Sequence, residues 1–454
     1  MTAYSYITTA IKDRIEQLPA TNIEGYVTKV VGAVIYATLV NARLGDICKV
    51  KKNVSVDTHS SSQKDFIWAE IVGFNESEVV LAPLSRMEGI TQKAKVISTG
   101  SCHRIGVGDS LLGRVINGLG EPVDAHQKGM VNTRESCSVN GEPPDPLMRQ
   151  PIQKQLFVGV KAIDGLLSIG EGQRLGIFAG AGVGKTTLLG ALARHADVDV
   201  VVLALIGERG REVRDFIDQQ LGEDGMKKAV VVVSTADQPV MQRVRSLYTA
   251  TTVAEYFRDQ NKRVLLLVDS LTRFARALRE VGLSAGEIPA RRGYPPSVFS
   301  TLPQLLERTG QSARGSITAV YSVLMEGDDV NEPVADEARS LLDGHIVFSR
   351  ELAAAGHYPA IDVLASTSRI MNQVVDSRRL SLAIKARGVI AKYKEIELLV
   401  KMGEFKEGVD SDADVALACF PRLQQWLQQN TLDKCFDNEA IRELEGLLDV
   451  VTTA

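Results

Sequence analysis

The stretch Ala179-Gly180-Ala181-Gly182-Val183-Gly184-Lys185-Thr186-Thr187 constrains this chain more than any other. It follows the strand-like run 175–178 and opens the helix-like run 188–194. A Gly-rich turn between a strand and a helix aims backbone N–H groups at a common centre, and the helix N-terminus adds partial positive charge. Such a loop holds phosphate oxygens. In it, Lys185 is expected to bridge β- and γ-phosphates and Thr186 Oγ to ligate Mg²⁺. Gly180, Ala181, Gly182, Val183, Gly184 and Thr187 complete the expected cradle. One departure is visible: Ala179 stands where the stricter pattern has glycine, a small change.

The surroundings fit that loop. From about 150 to 370, strand-like and helix-like stretches alternate. VVVLALI (200–206), AVVVV (229–233) and VLLLV (264–268) are almost wholly apolar, as strands covered on both faces are. The fold class expected is α/β, a P-loop core on a parallel sheet. A bound nucleotide also needs an acid at the end of a neighbouring strand. Asp269 closes VLLLVDS and is the natural residue to hold Mg²⁺ through water. Glu208, in IGERGRE (206–212), follows the strand 200–206, and ligands in open α/β sheets sit at such carboxyl ends. From composition alone Glu208 reads as a surface-loop glutamate; by position it is suited to polarise an attacking water.

Elsewhere the texture changes. Tyr4, Ile7, Ile11, Ile15 and Leu18 fall at helical spacing, marking a helix packed on its own domain or offered to a partner or membrane surface. Residues 22–95 are rich in β-branched side chains broken by short polar turns, the pattern of a small closed β-barrel. Past about 375 the strand signal ends, and 379–402, 413–428 and 437–448 read as helices. Basic residues crowd the first of these and acidic ones the rest, which suits solvated faces or a docking surface. The expected domains are an N-terminal helical segment (1–22), a β-barrel (23–95), a P-loop domain (96–375) and a C-terminal helical domain (376–454).

Composition weighs against other classes. The 454 residues carry 52 basic and 56 acidic side chains, a formal charge of −4, which gives no support to a nucleic-acid binder. The longest clean apolar run is too short for a membrane span. The N-terminus lacks the basic-then-apolar order of a signal peptide. The five cysteines are scattered, none at CxxC spacing, and read as reduced packing residues.

GAGVGKTT, IGERGREV, LLLVDSLTRFARA, GYPPSVFSTLPQLLERTG, GSITAVYSVLMEGDDVNEPVADE, LDGHIVFSR and HYPAIDVLASTSR occur in one order. Together they resemble the hexameric ATPases related to the catalytic subunit of rotary ATP synthases. GERGREV, GYPPSVFSTLPQLLERTG and EIELLVKMGEFKEGVDSDADVAL make the chain most similar to the type III secretion system ATPases, with the flagellar export ATPases a close second. The resemblance spans about residues 25–430. It implies ATP as substrate and Mg²⁺ as cofactor. It also implies Glu208 as the base or water-orienting group, with Arg209 beside it, and Arg369 as an arginine finger reaching a neighbouring subunit's site. Tyr358 would stack on adenine, and 327–332 would face a central pore.

Further implications concern assembly and location. The expected assembly is a homo-oligomer, which a chain carrying both Glu208 and Arg369 suits, and the resemblance implies that it is a hexamer. The expected partners are a central stalk, a peripheral stalk or sorting-platform protein and chaperone–substrate complexes, with no nucleic acid. The expected location is cytoplasmic, reaching the inner-membrane export gate only through the secretion apparatus. The work implied is releasing chaperones from export substrates and unfolding them. A regulatory nucleotide-binding subunit and an RNA-translocating hexamer are the readings from other classes. The N-terminal segment lacks the clustered basic and aromatic residues that bind single strands.

Overall fold

The computed structural model describes residues 24–52, 66–325, 332–430, 432–435 and 439–449. The expected N-terminal helix and most of the 327–332 loop lie outside them. The chain divides into two compact units, one ending at His103 with the short segments 239–241 and 280–287, the other comprising the rest.

The first unit is a closed six-stranded barrel: β1 (Glu24–Val31), β2 (Val34–Thr38), β3 (Asp46–Lys51), β4 (Phe66–Asn75), β5 (Glu78–Pro83) and β6 (Lys95–Cys102), in the order β1-β2-β5-β4-β3-β6. Alternation puts Ile35, Ala37, Cys48, Val50, Ile67, Ala69, Ile71, Val79, Leu81 and Val96 inside. Burial pushes the Cys48 thiol up to about 12, as expected of a packing residue. The boundary expected at residue 95 falls short. β6 supplies the last pairing, to β1 and β3, and closes the barrel without an edge.

The second unit is built on a nine-stranded sheet. Its main strands are β7 (Val115–Asn117), β8 (Arg174–Ala179), β9 (Val200–Glu208), β10 (Ala229–Thr235), β11 (Arg263–Asp269), β12 (Ser316–Leu324), β13 (Gly344–Phe348) and β14 (Ile361–Ser368). They run β14-β13-β8-β12-β11-β9-β10-β7, all parallel except β14; the short Gly310–Gln311 strand adds antiparallel to β12. The three apolar runs of the sequence are β9, β10 and β11, and every residue from Val200 to Ile206 is buried. Parallel strands aim their carboxyl ends the same way. The loops after Ala179, Glu208 and Asp269 therefore meet at one edge.

The C-terminal helices Ser377–Met402, Ser411–Leu427 and Glu439–Asp449 match the three helical stretches of the sequence. They do not form a core of their own. Leu382, Ala386, Ile390, Leu423, Trp426, Ile441 and Leu444 belong to the same apolar cluster as Ile163, Leu166, Leu189 and Leu203. Trp426 seats on the bare face of Gly165 in the helix Lys161–Leu166. A Cβ there would stand 2.8 Å from Trp426 Cη2. Gly165→Val is therefore expected to destabilise the protein by about 2 kcal/mol through overpacking. It should lower the melting temperature and raise amide exchange in the Ser411–Leu427 helix.

Candidate active site

The helix after the Gly-rich loop runs from Lys185 to His195. Gly182 (φ +80°) and Gly184 (φ +96°) take the left-handed conformation that turns the loop, and only glycine does so without strain. Ala179, the departure from the stricter glycine pattern, is the last residue of β8, extended and fully buried against Leu324 of β12. A methyl group costs nothing at that strand position.

Lys185 is 9% exposed, and its ammonium is ion-paired with Asp269 at the end of β11. Ser322 of β12 donates its hydroxyl to the same Asp269 Oδ1 at 2.7 Å. A carboxylate 1% exposed needs such partners, because an unpaired buried charge is costly. Thr186, Glu208 and Asp269 line one cavity of about 140 Å³, together with Glu212, Asp215, Phe216, Gln219 and Gln220. The structure thus brings the loop residue Thr186, the strand-end acid Asp269 and the strand-end Glu208 to one cavity. The hydroxyl of Thr186 and the carboxylate of Asp269 are hard oxygen donors beside a phosphate loop, and this donor set fits Mg²⁺.

Glu208 is the last residue of β9, 8% exposed, and ion-paired with the Arg273 guanidinium. Arg273 Nη1 also donates to Gly207 O at 2.9 Å. The Glu208 carboxyl is raised from 4.5 to about 7. Burial is the main cause and the negative charge of Asp269 the next; a hydrogen bond with Glu212 raises it further, while Arg273 opposes the rise. Glu212, one helical turn on, is held below its ordinary value, first by that same hydrogen bond. The contact between the two carboxyls therefore raises the proton affinity of Glu208 and lowers that of Glu212. A carboxyl poised near neutrality in a cleft beside a phosphate loop is equipped to take a proton from water.

Sequence reasoning missed Glu212, Arg273 and Ser322. Glu212 and Arg273 lie inside motifs quoted for the family, GERGREV and DSLTRFARA. Their helical spacing from Glu208 and Asp269 was the available signal.

Arg209 is not part of the cavity: its side chain is 83% exposed and lies 3.8 Å from Glu212. Thr187 leaves the phosphate side and lines a second cavity, of about 240 Å³, with Val160, Gly184, Leu188, Ala191, Tyr358, Pro359, Gln429, Asn430 and Asp433. The Tyr358 ring lies along Gly184, whose added Cβ would be 3.6 Å from it, and its hydroxyl donates to Ala353 O at 3.2 Å. An aromatic wall beside the phosphate loop suits a nucleobase.

Arg369 is exposed and lines neither cavity. Ser368, just before it, pairs with Gly344 at the start of β13, and β13 runs parallel to β8. Arg369 thus sits at the sheet edge opposite the phosphate loop, where Nη2 donates to Arg339 O at 3.1 Å. Glu332, the one described residue of the expected pore loop, caps the helix Pro333–Leu341 by accepting from Ala335 N–H.

Comparison with known proteins agrees with this arrangement. The nucleotide-binding domain of the ATP synthase alpha/beta family matches residues 159–368 and the family's beta-barrel domain residues 27–100. The T3SS EscN ATPase C-terminal domain matches residues 375–446. The SPI-2 type 3 secretion system ATPase of Salmonella typhimurium is 48% identical over 419 residues, 91% of this chain and 93% of that protein. The flagellum-specific ATP synthase of Bacillus subtilis is 43% identical over 441 residues, 97% of this chain and 98% of that protein. The structure of the assembled ATPase EscN from the enteropathogenic E. coli type III secretion system superposes with a TM-score of 0.88 at 46% identity, covering 93% of this chain and 100% of that one. EscN in complex with its central stalk EscO gives a TM-score of 0.84 at 45% identity, with the same coverage. With its phosphate loop, its strand-end acids and these relatives over nearly its whole length, the chain belongs to the type 3 secretion and flagellar export ATPases of the ATP synthase alpha/beta family.

Proposed function

We propose that this protein hydrolyses Mg²⁺-ATP by in-line attack of water, within a homo-hexameric ring that drives type III protein secretion. The observation that carries the reading is the convergence of Thr186, Glu208 and Asp269 on one cavity at the carboxyl edge of a parallel sheet, with Lys185 ion-paired to Asp269. Thr186 and, through water, Asp269 would hold the metal, which would neutralise charge on the phosphate oxygens. Lys185, ion-paired with Asp269, would reach the β- and γ-phosphates of the bound nucleotide. Glu208, deprotonated, orients water and accepts its proton, and Glu212 takes part in the transfer through their shared hydrogen bond. Arg273 is placed to hold Glu208 in position. The gain is mainly preorganised charge and alignment. The domains expected at 96–375 and 376–454 then act as one body, since their apolar core is continuous.

Arg369 completes a neighbour's site in this reading, and Tyr358 stacks on the base. EscN's capture with its central stalk EscO favours a stalk partner here too. Substrates delivered with chaperones, a peripheral sorting platform and a cytoplasmic position beneath an inner-membrane export gate complete the proposal. Among the described residues no helix is long and apolar enough to cross a membrane. Flagellar relatives of similar identity make a flagellar export role the second reading. Native pull-down separates the two by whether injectisome or flagellar stalk proteins are recovered.

The site itself is tested by Lys185→Ala. Hydrolysis should fall to background. The melting temperature should also drop, because buried Asp269 loses its cation, a loss worth about 3 kcal/mol or more. Undiminished turnover by the purified variant would remove Lys185 from the site.

A further inference from the structure

Gln429 stands just past the helix Ser411–Leu427, far in sequence from every other wall of the Tyr358 cavity except its own neighbours. Its side chain spends every polar group it has. Oε1 accepts from Lys161 N–H at 2.9 Å. Nε2 donates to Gly159 O at 2.8 Å and to Asp433 O at 2.7 Å. An amide side chain offers two donor hydrogens and a carbonyl, so little is left to meet a ligand. Its backbone N–H donates to Tyr358 O at 2.9 Å.

Together these bonds reach three parts of the cavity: residues 159–161, Tyr358 and Asp433. Lys161 opens the helix Lys161–Leu166, whose N-cap, Val160, has no side-chain acceptor. Gln429 therefore satisfies a helix-start N–H that would otherwise lack a partner. Tyr358 and Pro359 form the aromatic side of the cavity, and Asn430 and Asp433 its polar rim. Gln428 adds a contact to the same region, with Nε2 3.4 Å from His357 Nδ1.

We propose that Gln429 is the positioning residue of the base pocket: it ties residues 159–161, the Tyr358–Pro359 turn and Asp433 into one wall and so sets nucleotide affinity. It contacts no part of the reacting phosphates. The base is left to the Tyr358 ring, the apolar side chains of Val160 and Leu188, and the polar tips of Asn430 and Asp433. The inference rests on reading this cavity as the base pocket.

The test is steady-state ATPase kinetics on the full chain, with equilibrium binding of a fluorescent ADP analogue in Mg²⁺, for Gln429→Ala beside Tyr358→Ala. Gln429→Ala should raise KM and the analogue's Kd about tenfold, with kcat within about twofold of the parent. Tyr358→Ala should also weaken binding. A normal KM and Kd for Gln429→Ala, with Tyr358→Ala impaired, overturns the role of Gln429 and leaves the pocket standing. Normal binding by both variants overturns the pocket and the inference with it. A kcat that falls with the melting temperature while Kd stays normal makes Gln429 merely structural and overturns the proposal. Should Gln429→Ala fail to fold, Gln429→Glu is the readable variant. It keeps the acceptor for Lys161 N–H and loses the donors, and is expected to raise KM at unchanged kcat; a parental KM there overturns the proposal.

Discussion

Glu208→Gln is expected to lower kcat by about 10²–10⁴-fold while leaving nucleotide binding intact. Gln keeps the shape and the acceptor facing Arg273 but cannot take a proton. The pH profile supplies the sharper measurement. With the Glu208 carboxyl near 7, kcat/KM of the parent should rise about tenfold per pH unit below that value and level off above it, because only the charged form is a base. The Gln variant should lack that limb. Loss of nucleotide binding in the variant would assign Glu208 a structural role instead.

The same raised carboxyl has a consequence for stability, of opposite sign to the usual carboxylate. Folding lifts Glu208 from its ordinary 4.5 to about 7, so the folded chain holds a proton that the unfolded chain has released. The stabilisation is full below about pH 4.5 and is lost as pH rises through 7. The loss is on the order of 3 kcal/mol for this nearly buried group. Gln is neutral at every pH. Measured without added nucleotide, the melting temperature of Glu208→Gln relative to the parent should climb between about pH 4.5 and pH 7, the window set by the two values.

The second large effect is at Arg369. Arg369→Ala alone should lose about 10³–10⁵ in kcat, the worth of an arginine finger in phosphoryl transfer. The geometry makes a stronger prediction. Arg369 lies at the sheet edge opposite its own phosphate loop, so it has no route to that site within one chain. Mixing Arg369→Ala with Glu208→Gln should restore part of the activity. In a ring of identical subunits, some interfaces then join an intact Glu208 to an intact Arg369. Glu208→Gln is the better partner than Lys185→Ala because it leaves the Lys185–Asp269 pair whole. Absence of recovery in mixtures shown to co-assemble would remove the trans arginine.

What could be read along the chain was what neighbouring residues encode. The phosphate loop carries its chemistry in nine consecutive positions. β9, β10 and β11 declare themselves because strands buried on both faces must be apolar throughout, and Glu208 and Asp269 follow as the residues where those runs end. The helices past 375 follow from periodicity. Tertiary structure decided everything that depends on pairing across long separations. That Lys185 meets Asp269, that Ser322 donates to the same carboxylate, that Glu208 lies against Asp269, Glu212 and Arg273, and that Gln429 closes a wall begun at Gly159 are outcomes of packing. The barrel's true end at β6 and the joining of the C-terminal helices to the P-loop core through Trp426 and Gly165 are of the same kind. Periodicity shows that a face is buried but not against what, and a carboxyl's proton affinity is set by the charges that folding brings beside it.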